Sequence, residues 1–412
     1  MVGEKYFGTI ILETPLDVTA DCWDLPFFSP THQQIGARLK DWAREQEVDE
    51  RNDRFACLDW VSRLAKDGWL QYCVSAAHGG AFEHLDSRAL VIIRETLSQY
   101  SALADFAFAM QGLGSGPITL GGSASQQNDY LSGVCTGHKI AAFALSEEQA
   151  GSDVAAMACT AVRQADGFVL NGEKTWISNG GIANFYVIFC KTDPALGSRG
   201  ISAFIVDAKT PGLDDTTHLQ VMAPHPLATV KLKDCKVPAS ALLGPWNGGF
   251  KLAMQTLDIF RASVAGAALG MARRALHEAT THAKSRSMFK QRLADFQITQ
   301  VKLGQMKALI ESAALLTYQA AWLRDTQLMG RDLKSPEGQS LHQRYTQAAA
   351  MAKWVATENA QQVIDMALQM HGGKGVLVGQ KIESLYRDIR ALRIYEGATE
   401  VQQLIVGKGL LA

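Results

Sequence analysis

Asp166-Gly167-Phe168-Val169-Leu170-Asn171-Gly172 sets three apolar residues between two Asx-Gly pairs. Asx-Gly supplies the positive φ that tight hairpin turns require, so this stretch reads as a strand between turns. The turn signal returns at Asn179-Gly180-Gly181, and Pro211-Gly212 closes the apolar run from Ile201 to Val206. Phe185 to Cys190 is apolar and rich in β-formers, and Val230-Lys231-Leu232 alternates in character. Together these signals predict a β domain over residues 141–248, a small antiparallel β-barrel.

On both sides of this domain the apolar period becomes helical. Ile35, Leu39, Trp42 and Ala43 recur at helical spacing, as do Leu58, Val61, Leu64 and Ala65. An N-terminal helical domain is expected over residues 1–140, its first 30 residues an irregular arm broken by Pro15, Pro26 and Pro30. After Gly248-Gly249 helices run to the end of the chain. Ser263 to Met288 is rich in Ala and Gly, which lets helices approach closely, and Ile298 to Thr326 and His342 to Met370 add further long helices. Residues 249–412 are therefore expected to form a C-terminal four-helix bundle, and the fold class is mainly α with a central β domain.

Composition narrows the function. With 412 residues the chain exceeds one ordinary core. Lys+Arg number 40 against Asp+Glu 41, which gives no long-range field for nucleic acid or an acidic membrane. The seven cysteines are scattered without CxxC spacing, so neither a metal site nor a redox dithiol is indicated, and reduced thiols in a cytoplasmic protein are expected. Ile10-Ile11-Leu12 is too short for a signal peptide, and no run is long enough to enter a membrane. Gly112-Leu113-Gly114-Ser115-Gly116 resembles part of a dinucleotide fingerprint but follows a helical run instead of a strand.

Four segments carry a functional signal. They are Phe143-Ala144-Leu145-Ser146-Glu147-Glu148-Gln149-Ala150-Gly151-Ser152-Asp153, the hairpin Asn171 to Gly180 with Trp176, the pair Asp258 and Arg261 followed by Arg286-Ser287-Met288-Phe289, and the stretch from Gln369-Met370-His371-Gly372-Gly373 to Tyr395-Glu396-Gly397-Ala398-Thr399-Glu400. Read singly they are a polar loop, a hairpin with a half-buried Trp, an i,i+3 ion pair, and a carboxylate before a helix capped by Thr399 and Gln402.

In this order and at these separations the segments resemble the acyl-CoA dehydrogenase family, over roughly residues 32–410. The resemblance implies FAD as cofactor and an acyl-CoA substrate. Phe143, Leu145, Ser146 and Ser152 would line the flavin and its pyrophosphate, Trp176 and Ile177 would pack near the isoalloxazine, and Ser178 would donate to its N5 edge. Arg286, Gln369, Gly372 and Gly373 would hold the flavin of a neighbouring subunit, with Phe296, Gln297, Ala398, Thr399 and Glu400 completing that site. Ser152, Asp258, Arg261 and Gly397 would contact the thioester and its pantetheine. Shared sites of this kind imply a homotetramer, a dimer of dimers, and the family implies electron-transfer flavoprotein as acceptor.

The implied reaction is α,β-dehydrogenation, with Glu396 removing the α-proton and FAD receiving the β-hydrogen as hydride. Burial beside Ile394 and Tyr395 would raise the carboxylate's pKa toward the working range of a base. Some relatives place the base near Asp258, but Ile259 and Phe260 offer no carboxylate there. Ser146, Glu148 and Gln149 replace the family's Thr, Pro and Gly, Lys290 replaces a Gly, and Ala398 replaces a Thr; none of these changes removes a reacting group. Two other classes share the scaffold. A flavin oxidase or monooxygenase would hand its electrons to oxygen, although monooxygenase relatives usually lack the loop Glu. A non-catalytic nucleic-acid-binding relative would need a basic patch.

The segment Ala104 to Gly116 would form the far wall of the acyl pocket. Small side chains at Ala107, Ala109, Gly112 and Gly114 would leave room, and Phe106, Phe108 and Met110 would line it, which suits a bulky, branched or aryl-bearing acyl group. The alternative is that the small residues serve close helix packing.

Overall fold

The computed structural model describes residues 23–411, so most of the expected N-terminal arm, and Cys22, lie outside the described residues. Five helices come first: α1 (Pro30–Arg44), α2 (Asp53–Lys66), α3 (Ser87–Tyr100), α4 (Ala102–Gly121) and α5 (Ala124–Cys135). Eight strands follow: β1 (Ala141–Ala144), β2 (Thr160–Gln164), β3 (Gly167–Ser178), β4 (Phe185–Lys191), β5 (Ile201–Asp207), β6 (Leu213–Leu219), β7 (Leu227–Pro238) and β8 (Leu242–Leu243). The chain then returns to helix in α6 (Gly249–Ser285), α7 (Gln297–Leu323), α8 (Pro336–His371), α9 (Lys381–Leu392) and α10 (Thr399–Leu411). Local chemistry sets several of these starts. The Asp86 carboxylate accepts from Ala89 N–H at 2.8 Å to open α3, and Ser335 accepts from Gly338 N–H at 3.1 Å ahead of Pro336 to open α8.

The chain gathers into two compact units. One holds the described residues up to Arg51, Asp86–Asp105 and Asp258 onward; the other holds Asn52–Leu85 and Phe106–Leu257.

The second unit contains the sheet, whose strands run in the order β6-β7-β3-β2-β4-β5-β8, with β1 added beside β4. The central sheet domain is as expected, but among the described residues its path does not close, and two of its pairings, β1 with β4 and β2 with β4, are parallel. Hairpin signals could not reveal this, because parallel neighbours need crossovers and not turns. Leu170, Tyr186, Ile188, Phe204, Val206 and Val230 form its buried core. A Cβ added to Gly114 of α4 would stand 2.7 Å from the Ala141 Cβ of β1. The glycine therefore serves close packing of helix on strand, as in the alternative reading, and the Gly112–Gly116 run is helix interior and not a nucleotide loop.

In the first unit, α3 lies directly against α6. A Cβ on Gly270 would come within 2.1 Å of the Glu95 carbonyl oxygen, so only glycine permits this approach. Buried Glu95 accepts from Arg273 Nε at 2.6 Å and from the Tyr318 hydroxyl at 2.8 Å, which ties α3, α6 and α7 by charge as well as by packing. Among the described residues no helix is long and apolar enough to cross a membrane.

Candidate active site

Glu396 lies between the end of α9 and the start of α10, on a two-residue left-handed turn: φ is +53° at Glu396 and +97° at Gly397. A non-glycine residue in this region is strained and persists only where its surroundings hold it. Lys353 of α8 donates to the Gly397 carbonyl at 2.7 Å, and Gln402 of α10 donates to the same oxygen at 3.0 Å. Both carboxylate oxygens of Glu396 are closed off from solvent and accept no hydrogen bond. Burial raises the pKa of this carboxyl, while Arg94, Lys353 and Arg261 pull it back. A carboxylate left buried without a donor costs stability, which favours a functional reason for keeping it.

The groups around Glu396 in this unit are charged. Arg94 of α3, almost wholly buried, sends Nε to Asp105 Oδ1 at 2.8 Å, Nη2 to Asp105 Oδ2 at 3.0 Å and Nη1 to Ser263 Oγ at 3.0 Å. Burial opposes its charge, yet Asp105 holds its pKa above the ordinary value. Asp258 and Arg261 of α6 are also buried and bonded to each other, with Thr346 donating to Asp258 Oδ2 at 3.0 Å. Glu396, Asp258 and Arg261 are the expected residues here; Arg94 and Lys353 are not among those the sequence singles out, and Asp105 is there only within the Ala104 to Gly116 segment. The signal was available: Arg94 interrupts Leu90-Val91-Ile92-Ile93, and Lys353 follows Ala349-Ala350-Met351-Ala352. A charge set in an apolar helical run is a candidate for burial with a partner.

The rest of this unit separates the expected residues into two places. Gly397, Ala398, Thr399 and Glu400 follow Glu396 directly. Thr399 is the first residue of α10 and donates to Glu358 Oε1 at 2.6 Å, so it does not form the expected capping box, and its hydroxyl is already engaged inside the protein. Arg286, Phe296 and Gln297 lie where α6 ends and α7 begins, and Gln369, Gly372 and Gly373 where α8 ends. The rings of His282 and His371 stack at 4.3 Å and draw these helix ends together. Arg286, Gln297, Gln369, Gly372 and Gly373 are all exposed.

In the sheet unit, Trp176 sits at a register break in β3, between Lys174 and Ile177, with φ +60° and 54% of its surface exposed. The bulge turns the indole outward, whereas Ile177 points into the sheet core, which leaves only its backbone for a ligand. The Ser178 hydroxyl lies 3.3 Å from His225 Nε2, and desolvation lowers the pKa of that imidazole to about 3. Phe143 packs on Phe189 at 5.0 Å, Leu145 is buried, Ser146 is half-buried and Ser152 is exposed. Glu147, in the same loop, has a structural role: it accepts from Lys174 Nζ at 2.8 Å and from the N–H groups of Ala158 and Cys159 at 2.6 and 3.0 Å. An exposed indole on a strained backbone, close in sequence to the Ser178 hydroxyl, fits a planar aromatic cofactor.

Comparison with known proteins agrees. Models of the N-terminal, middle and C-terminal domains of acyl-CoA dehydrogenase match residues 29–138, 142–235 and 247–411. The chain is 37% identical over 393 residues to a 3-(aryl)acrylate reductase of Clostridium sporogenes, covering 93% of this chain and 100% of that protein. It is 35% identical to the caffeyl-CoA reductase-Etf complex subunit CarC of Acetobacterium woodii, covering 93% and 99%. Among solved structures, butyryl-CoA dehydrogenase from Megasphaera elsdenii superposes with a TM-score of 0.84 at 31% identity, covering 93% and 99%. An acyl-CoA dehydrogenase complexed with FAD from Bacillus anthracis superposes with a TM-score of 0.85 at 30% identity, covering 93% and 67%. The chain belongs to the acyl-CoA dehydrogenase family, FAD-dependent oxidoreductases that act on a CH–CH bond.

Proposed function

We propose that this chain interconverts an acyl-CoA and its trans-2-enoyl-CoA, with Glu396 as the group that exchanges the α-proton. The observation that carries this reading is the Glu396 carboxylate itself: buried, without a donor, and held on a left-handed turn. A base kept free of hydrogen bonds and raised in pKa by burial is ready to take a proton from carbon. Bound FAD would supply the two-electron acceptor for the β-hydrogen. Trp176, Ser178 and the loop from Phe143 to Ser152 would hold the flavin. Arg286, Phe296, Gln297, Gln369, Gly372, Gly373 and Ala398 to Glu400 would serve the cofactor of a neighbouring subunit. Arg261 and Asp258, with Ser152 and Gly397, would position the thioester.

The similar proteins named as aryl-acrylate and caffeyl-CoA reductases favour an aryl-bearing acyl group. They also favour operation toward the saturated product, in which the protonated Glu396 would return a proton to the α-carbon. The Etf complex named for one of them supports electron-transfer flavoprotein as redox partner. The exposed apolar run Val376-Leu377-Val378 supports burial against other subunits, and we infer a homotetramer in the cytoplasm.

The test is anaerobic mixing of the FAD-loaded protein with 3-phenylpropanoyl-CoA. Bleaching that is slow to recover in air supports a dehydrogenase. Rapid recovery with peroxide formation would identify an oxidase, and no bleaching by any acyl-CoA would overturn the reading.

A further inference from the structure

The charges acting most on Glu396 can be matched one by one. Three buried cations face it from three helices: Arg94 on α3, Arg261 on α6 and Lys353 on α8. Arg94 is neutralised by its two-pronged bond to Asp105, and Arg261 by Asp258 one helical turn away. Lys353 remains. It is fully buried (0% exposed), and its hydrogen bond goes to the Gly397 carbonyl at 2.7 Å and to no carboxylate. The other charged and titratable groups near this turn have partners of their own or are exposed. Glu358 is held by Arg393 and Thr399, Tyr395 is hydrogen-bonded to Arg94, and Glu400 is exposed. Among the buried charges around this turn, Glu396 is thus the carboxylate left without a partner, and Lys353 the cation without a carboxylate on it.

We propose that Lys353 is the positioning residue and counter-charge of Glu396: its ammonium locks the Gly397 carbonyl, fixing the left-handed turn that aims the carboxylate, and its charge keeps that carboxylate ionised. The proposal rests on Glu396 being the base. The two roles follow from one placement. A cation bonded directly to the carboxylate would stabilise the anion and blunt its basicity, whereas a cation held one peptide group away supplies field without occupying a lone pair. Gln402 reinforces the hold on the turn, since its Nε2 donates to the same carbonyl. Burial lowers the Lys353 pKa to about 8 against the pull of Glu396, so its charge is lost within an accessible pH range.

The experiment compares Lys353→Met and Lys353→Arg with the wild-type holoenzyme. Two readouts are used: the pH profile of flavin reduction by acyl-CoA in stopped flow, and the carboxyl titration of Glu396 in resting enzyme, by infrared difference against Glu396→Gln. In Lys353→Met the Glu396 titration should move to higher pH and reduction should slow at least tenfold. In Lys353→Arg the rate should recover to within a few-fold, and the decline above about pH 8 expected of the wild type should move to higher pH because arginine keeps its charge. If Lys353→Met does not fold, the arginine comparison alone decides: an alkaline limb that stays in place overturns the proposal. An unmoved Glu396 titration in Lys353→Met overturns it as well. Failure of the underlying reading looks different, since Glu396→Gln would then reduce flavin at a near-normal rate whatever stands at 353.

Discussion

Arg94 grips Asp105 through two parallel hydrogen bonds, Nε to Oδ1 at 2.8 Å and Nη2 to Oδ2 at 3.0 Å, with both residues buried. Asp105 stands in the segment expected to form an apolar pocket wall, but its carboxylate is closed off in this ion pair. Breaking such a pair leaves one charge buried alone. Asp105→Ala should therefore lower unfolding free energy by about 3–5 kcal/mol, whereas Arg94→Met with Asp105→Leu should lose much less. Urea denaturation of the two variants and the wild type measures this. A double variant as unstable as the single one would mean that Arg94 owes its place to other contacts.

Glu147 and Lys174 make a second buried pair, in the sheet unit. The partnership holds the Glu147 carboxyl below its ordinary pKa, with Lys174 and the two backbone donors outweighing burial. A carboxylate depressed in the folded state stabilises the fold above its unfolded pKa, and that stability fades as pH falls through the folded value. Glu147→Gln should remove this acid dependence and leave Lys174 uncompensated, at a cost of about 3 kcal/mol or more. Chemical denaturation between pH 7 and pH 4 gives both numbers, and a variant whose stability falls with acid as steeply as the wild type's would refute the assignment.

Trp176 makes a prediction of the opposite kind. Its side chain is 54% exposed, so Trp176→Ala should change the stability of the FAD-free protein by no more than about 0.5 kcal/mol. If the indole packs on the flavin, losing it should weaken FAD binding by about 2 kcal/mol, or roughly thirtyfold. Fluorescence titration of the FAD-free protein gives the affinity. Unchanged affinity would place the flavin elsewhere.

Glu396→Gln should keep the turn, since the amide is nearly isosteric, and should retain FAD. It cannot take a proton, so flavin reduction by acyl-CoA should fall at least about a hundredfold. In the wild type the same rate should rise with pH through the raised pKa of Glu396, because only the ionised form is a base. Stopped-flow traces across pH test both statements; a pH-independent rate would point to a different proton acceptor.

The order of domains was legible because it rests on local chemistry. Asx-Gly pairs and proline mark the sheet region, and the apolar period marks the helices on each side. Glu396 was legible only in company, as one member of four segments. What stayed hidden depends on distant partners. Nothing beside Arg94 in sequence announces Ser263, and nothing beside Lys353 announces Gly397. The bulge at Trp176 was hidden for another reason: tryptophan is a good strand former, and the run around it gives no sign of the break that reverses its φ. The open, partly parallel sheet was hidden because turns are written locally and crossovers are not.

Substrate size is where sequence and structure pull apart most. The expected roomy pocket drew on Ala107, Ala109, Gly112 and Gly114, yet Gly114 is spent on packing α4 against β1, and Ala107 and Ala109 are buried. What favours a bulky acyl group is now the similarity to aryl-acrylate and caffeyl-CoA reductases, against a solved neighbour named for butyryl-CoA at comparable likeness. Phe106 and Met110 remain candidates for an apolar wall, with the Phe106 ring 3.6 Å from that of His225. If an aryl group is the natural occupant, butanoyl-CoA leaves apolar wall unfilled and forgoes roughly 0.8 kcal/mol for each missing methylene equivalent. Over a phenyl ring this amounts to a difference of several hundredfold or more in kcat/KM. The measurement is kcat/KM for 3-phenylpropanoyl-, cyclohexyl-, branched and butanoyl-CoA with an artificial acceptor, and for the corresponding enoyl-CoAs with a reduced donor. Preference for butanoyl-CoA over every bulky substrate would reject the aryl reading and leave Glu396 as base untouched. Preference for aryl substrates combined with loss of that preference in Phe106→Ala would assign the wall.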